Sequence, residues 1–347
     1  MKKLILLALT ISLVALGGCG KDDDPPNRIS LGSLPNPALV VANGDAGTVQ
    51  VIDPVAGTVV ASGQVEEGFY PHHLSASHDG AYILMTATST DLSGGHGGGH
   101  GGGDQSSSRV YRIDTMTGEV VKVLSLDATV HNAAYLGESG NFVLSQSEHD
   151  MVHVYNGGTF EQIWSAAVGS TPLEATPTHD GNLVVVANSG DATVTIVDIA
   201  SRAVVRTVPV GETPVAAWLS VDGSFHVSNE DGGTLSMLNV GLSGVSATID
   251  VMGVPGQAYE TPDGSELWVA VENRGVVGIY DATTHELRHE ITVGLKPHGI
   301  AFNGSGTRAY VTNETGGEVH VINVATRLVL NHITVGGKPN GVVFLER

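Results

Sequence analysis

One stretch of the chain, Pro297 to Gly336, is a unit that recurs, and its period constrains the architecture more than any other feature. Within PHGIAFNGSGTRAYVTNETGGEVHVINVATRLVLNHITVG, β-branched and apolar residues alternate in AYVTN, EVHVIN and LNHITV, while Gly and Asn sit at the joints. That is the pattern of short strands linked by tight turns. The proline that opens the unit recurs as Pro172, Pro214, Pro255, Pro297 and Pro339, at spacings of 42, 41, 42 and 42. Asp79-Gly80, Asp180-Gly181, Asp222-Gly223 and Asp263-Gly264 each fall eight residues after an opening proline, where a tight turn needs residues that tolerate positive φ. Upstream, Pro71 and Val130-His131 hold the equivalent place, 59 residues apart, with 42 from Val130 to Pro172. A four-strand unit repeating at about 40 residues predicts an all-β fold, the β-propeller.

The ends of the repeat predict how the ring closes. Leu39 to Asn43, Thr48 to Asp53 and Val59 to Gln64 read as three strands of a first blade that lacks its innermost strand, and Pro339 to Leu345, PNGVVFL, reads as an innermost strand with no blade after it. Pairing the two closes seven four-stranded blades and removes the sheet edge that an open array would expose. A chain of 347 residues would by length alone suggest two domains. The unbroken repeat predicts one ring over 38–347, with strand B of the later blades beginning near Tyr82, Phe142, Leu183, Phe225, Leu267 and Arg308.

The wording YVTN at Tyr310 to Asn313, with VVAN at Val185 to Asn188 and again at Val40 to Asn43, resembles the YVTN family of β-propeller repeats. The resemblance spans nearly the whole chain after its N-terminal segment. It implies the fold and says little about function.

The first residues read as a targeting signal over 1–18: Lys2 and Lys3, then an apolar run from Leu4 to Leu16, then small residues before Cys19. Thirteen apolar residues are too few for a permanent membrane span. Leu16-Gly17-Gly18-Cys19 resembles a bacterial lipobox, which implies cleavage before Cys19 and lipidation of its thiol. Cys19 is the only cysteine, so no disulfide forms within the chain. Gly20 after the cysteine implies, by similarity to Gram-negative lipoproteins, the periplasmic face of the outer membrane. Residues 19–37, with Asp22-Asp23-Asp24-Pro25-Pro26, read as a polar tether without an apolar period. A net charge of −20 disfavours nucleic acid and anionic lipid and attracts cations.

Fifteen histidines carry the chemical signal. Just after the opening proline, where each innermost strand enters the central channel, the blades place His72, His131, Leu173, Val215, Gly256, His298 and Asn340. His298, His72 and His131 therefore come from neighbouring positions around one axis, and the next residues add His73, Asn132, Glu174 and Gln257. Alternation along a strand predicts that only one of His72 and His73 faces the channel. Neutral imidazoles with a carboxylate are the donor set of Zn²⁺, and Cu²⁺ fits the same donors. Glu174 and His149, the latter in the loop Ser147-Glu148-His149-Asp150, are candidate further ligands. The plainer alternative is a set of hydrogen-bonded channel side chains.

The second blade carries about 17 extra residues, a Gly/His-rich insertion over 93–108 that contains Ser93-Gly94-Gly95-His96-Gly97-Gly98-Gly99-His100-Gly101-Gly102-Gly103-Asp104. Such composition cannot bury apolar surface, which predicts a mobile arm. His96, His100 and Asp104 punctuate it every four residues and lie on the face of the channel histidines, where they would capture a cation weakly and raise its local concentration. The remaining histidines, including His226, His320 and His332, read as packed or solvated.

Together these features predict a lipid-anchored propeller that binds a transition metal as a metallochaperone or store, with an envelope partner such as a metal-transporter component. In outline this is similar to periplasmic zinc chaperones of propeller fold that feed an importer through a His-rich segment. Two other classes remain open: a protein-interaction scaffold, and a lactonase- or lyase-like enzyme with a channel histidine as base. No nucleophile elbow, HExxH or phosphate-binding Gly loop supports the enzyme.

Overall fold

A computed structural model describes residues 29–92, 106–241 and 244–347. The expected signal at 1–18, Cys19, and the loop residues His96, His100 and Asp104 lie outside them. The described residues form twenty-eight strands in seven antiparallel four-stranded sheets. The expected closure is present: β28 (Pro339–Leu345) is the innermost strand of the sheet β28-β1-β2-β3, with β1 at Ala38–Asn43, β2 at Thr48–Asp53 and β3 at Thr58–Gln64. Strand B of the sixth blade, β21, starts at Glu266, one residue before the expected Leu267. The other five begin where the repeat places them.

Burial explains why the sequence takes this form. Strands B lie between two blades and are buried on both faces, so β13 (Leu183–Asn188, LVVVAN) and β21 (Glu266–Val271, ELWVAV) read as nearly continuous apolar runs. Outer strands such as β15 (Ala203–Pro209) are mostly exposed and alternate instead. The apolar clusters bridge adjacent blades: Val40, Val49 and Val51 of the first meet Ile83, Met85 and Ile113 of the second. Each fully buried Val or Ile contributes about 1.5–3 kcal/mol, and no blade can bury its faces alone.

Residues 29–37, whose composition suggests a tether, are docked on the propeller. Ile29, Leu31 and Leu34 are buried in the cluster between the first two blades, and Ser30 bridges to Glu119. The Leu31 and Leu34 amides donate to the carbonyls of Gly118 (2.9 Å) and Thr115 (3.1 Å). Three spaced apolar side chains and these backbone bonds together hold the segment there.

One irregularity positions the site. The innermost strands slip register just after their opening proline: between Pro71 and Leu74 in β4 (Tyr70–Ala76), Pro172 and Ala175 in β12 (Pro172–Pro177), and Pro297 and Ile300 in β24 (Pro297–Phe302). A bulge of this kind breaks the two-residue alternation and redirects side chains. Close approach of neighbouring innermost strands also restricts side chains: a Cβ on Gly341 of β28 would stand 2.4 Å from the His72 carbonyl oxygen.

Candidate metal centre at the channel mouth

Pro172 pairs with Asn188 and Pro297 with Asn313, so the start of each innermost strand lies beside the end of strand B. The channel-entry side chains therefore share one face with the described B–C loops, and Thr88 and Ser108, the facing ends of β5 (Tyr82–Thr88) and β6 (Ser108–Asp114), pair on that same side.

His72 and His73 both turn into the channel, contrary to simple alternation, because both fall within the bulge of β4. His131 stands just ahead of β8 (Ala133–Tyr135). All three are buried, and one ring nitrogen from each lies within 4.8 Å of the others. Nε2 of His72 is 3.0 Å from Nε2 of His131. Glu174, the third residue of β12 and also buried, sets Oε1 at 3.0 Å from both His131 Nδ1 and His73 Nε2. Asn132 donates through Nδ2 to Glu174 Oε2 at 3.3 Å, and Asn340 Nδ2 is 3.0 Å from His72 Nδ1.

These contacts form one chain from Asn340 through His72 and His131 to Glu174. Its hydrogen bonds are satisfied when Asn340 donates to His72 Nδ1 and His72 donates from Nε2 to His131 Nε2, while His131 Nδ1 stands at ion-pair distance from Glu174 without hydrogen-bond alignment. The carboxylate lies beside His131 Nδ1, where an acid behind a metal-bound imidazole stands, and His131 Nε2 faces His72. The Nε2 of His73 lies at ion-pair distance from Glu174 without hydrogen-bond alignment, so this buried nitrogen is not used by the fold's hydrogen bonding. A His-rich donor set held by a buried carboxylate suits a borderline divalent ion.

His298 and His149 take other places. The His298 ring centroid is 5.9 Å from His72 and 6.0 Å from His73, and its Nε2 is 3.9 Å from Glu272 Oε1. It belongs to the wall of the cluster, outside the tight trio. His149 is exposed and engages Gln146 Oε1 at 2.8 Å through Nδ1. Trp218 and Tyr259 complete the surroundings, with ring centroids 6.5 Å from His73 to Trp218 and 5.3 Å from Trp218 to Tyr259. Burial, reinforced by the Glu174 charge, raises the Tyr259 hydroxyl well above the ordinary tyrosine value. Neither aromatic is legible as a site residue in the sequence, since each reads as an ordinary strand apolar position. At the rim, Lys296 Nζ sits 2.8 Å from the buried Glu314 carboxylate, which burial pushes up to about 7 against the pull of Lys296.

The fold and this cluster define a seven-bladed β-propeller with an imidazole–carboxylate cluster at one mouth of its channel. A family model described as "Outer membrane protein assembly factor BamB" matches residues 106–246. No curated protein matches. Among solved structures, a functionally unknown protein from Desulfotomaculum acetoxidans is similar at TM-score 0.72 and 14% identity, over 89% of this chain and 99% of that one. A putative 6-phosphogluconolactonase from Bacteroides fragilis is similar at 0.68 and 14%, over 90% and 98%. Kuenenia stuttgartiensis hydrazine synthase is similar at 0.66 and 16%, over 80% and 95%. At these identities the likeness is one of fold.

Proposed function

We propose that this chain binds a divalent transition metal, zinc before Cu²⁺, at the channel mouth and serves as a metallochaperone or store rather than as an enzyme. The observation that carries this reading is the convergence of His72, His73 and His131 with Glu174 in one buried site. Zinc is here the cargo. His96, His100 and Asp104 would capture it on the same face and pass it inward, and a lipid on Cys19 would hold the propeller at the periplasmic face of the outer membrane, beside a partner such as a metal-transporter component. The net charge of −20 favours cations over nucleic acid.

A second reading, an interaction scaffold of the envelope, is favoured by the match of residues 106–246 to the assembly-factor model. Elemental analysis of the purified full chain after zinc loading and desalting separates the two. Loss of about one zinc per chain in His72→Ala/His73→Ala/His131→Ala is the expected result. Equal zinc in both proteins overturns the chaperone reading and leaves the scaffold.

A further inference from the structure

The outer part of the seventh blade carries a second constellation. Strands β26 (Glu318–Asn323) and β27 (Val329–Thr334) pair with His320 directly opposite His332. Directly opposed residues share a sheet face, and Glu318, two residues before His320, projects from that face as well. His332 Nδ1 is 3.2 Å from His320 Nε2, and Glu318 Oε2 is 3.4 Å from each of those nitrogens.

That near-equilateral triangle matches one face of a zinc coordination sphere. With bonds of about 2.0–2.1 Å to nitrogen and oxygen, the edge of a tetrahedron is about 3.3 Å. A cation just outside the triangle reaches all three atoms without moving them. His320 is buried, Glu318 is part-exposed and His332 is 54% exposed, so the fourth position opens to water. Three protein ligands and one open position describe an exchangeable site rather than a closed structural one.

Comparison with the sister blades shows what these residues replace. In three blades the last residue of strand B is an Asn whose amide ties down strand C: Asn43 donates to Thr48 and Gln50, Asn188 to Thr193 and Thr195, and Asn229 to Thr234 and Ser236. The corresponding strand C residues in the seventh blade are Glu318 and His320. There the equivalent Asn313 amide turns away and donates to the Val293 carbonyl at 2.5 Å. The position opposite, Ser62, Thr207 or Thr248 in those blades, is His332. The ordinary amide–hydroxyl clip has given way to three metal-type donors, and the buried Nδ1 of His320 has no hydrogen-bond partner. That Nδ1 is not a corner of the triangle; the ring's other nitrogen, Nε2, meets among the described residues only His332 and Glu318, the two other members of the triangle.

We propose that Glu318, His320 and His332 form a second, solvent-open site for a divalent transition metal, on the outside of the seventh blade and separate from the channel cluster. Glu318 opens its strand just after the loop Asn313 to Gly317, so the site lies toward the same face as the channel mouth. It holds whether or not the channel binds metal, because the two sets share no residue.

The test is titration of the purified full chain with Zn²⁺ alone by calorimetry, with Co²⁺ absorption as a coordination probe, for wild type, His332→Gln and His320→Gln/His332→Gln. His332 is half-exposed, so His332→Gln removes one ligand without disturbing the core, and thermal melting verifies its fold. The expected result is one fewer zinc-binding event in the double variant, at least about tenfold weaker binding at that event in the single variant, and loss of the tetrahedral Co²⁺ component. Variants of His72, His73 and His131 leave this event in place, so failure here and failure at the channel are read separately. Identical zinc isotherms and Co²⁺ spectra for wild type and a fully folded His332→Gln overturn the proposal.

Discussion

Nε2 of His72 faces Nε2 of His131 across 3.0 Å inside a site that excludes nearly all solvent. At that separation one ring donates to the other, or the two nitrogens face a shared cation, with the Glu174 carboxylate 3.0 Å from His131 Nδ1. Glu174 and Asn340 flank the pair and orient both rings, so the site is organised in advance of any ion.

Glu174 therefore acts through His131 and His73, and its contribution is separable from theirs. Glu174→Gln keeps the shape but removes the charge that orients both rings. The expected result is a fall of about 10–100-fold in zinc affinity at unchanged stoichiometry, read by competition against a chromogenic chelator. Unchanged affinity would show that the imidazoles need no orienting carboxylate.

Gly341 stands against the backbone of His72 and His73, and its missing Cβ lets β28 approach β4. Gly341→Ala places a methyl 2.4 Å from the His72 carbonyl oxygen. The strand must shift, at a cost of about 1–3 kcal/mol. A lowered melting temperature together with weakened zinc binding is expected; a change in neither would mean that the two strands have slack.

His226 supplies a pH dependence of stability unrelated to metal. Burial pushes it down to about 4, with the His285 charge adding and Asp222 opposing; its Nδ1 meets Ser220 Oγ at 2.9 Å. Glu260 Oε1 lies 3.5 Å from Nε2 without a hydrogen bond to it. The unfolded chain binds the proton near 6.5, so this contribution is complete above that pH and declines as the pH falls toward 4. The loss approaches about 3 kcal/mol. Denaturant titrations from about pH 7.5 to about pH 4.5 should show a steeper decline for wild type than for His226→Gln, and parallel curves would remove His226 as the cause.

Part of the site is legible in the sequence. His72, His131 and Glu174 follow from aligning the blades on their opening prolines, because a repeat converts sequence position into position around an axis. His73 is not separable from His72 in this way, since alternation assigns them opposite faces and only the bulge after Pro71 brings both inward. His298 shares the repeat position but lies outside the trio, with its ring centroid 5.9 Å from that of His72 and its Nε2 3.9 Å from Glu272 Oε1. The seventh-blade triangle is hidden for a different reason: His320 and His332 are twelve residues apart, and only the β26–β27 register sets them opposite each other.

By itself the sequence determined the all-β class, the count of seven blades and the closure by the last strand. Period, turn residues and strand alternation are local properties that a repeat states many times over. Tertiary structure decided the rest: that His73 joins His72, that His298 stands outside the trio, and that Glu318, His320 and His332 meet. Convergence depends on bulges, strand register and the approach of neighbouring blades, and a displacement of one residue in any of them turns a side chain away from its partners. The same applies to Ile29, Leu31 and Leu34, whose docking beside the first two blades depends on a groove that those blades create together.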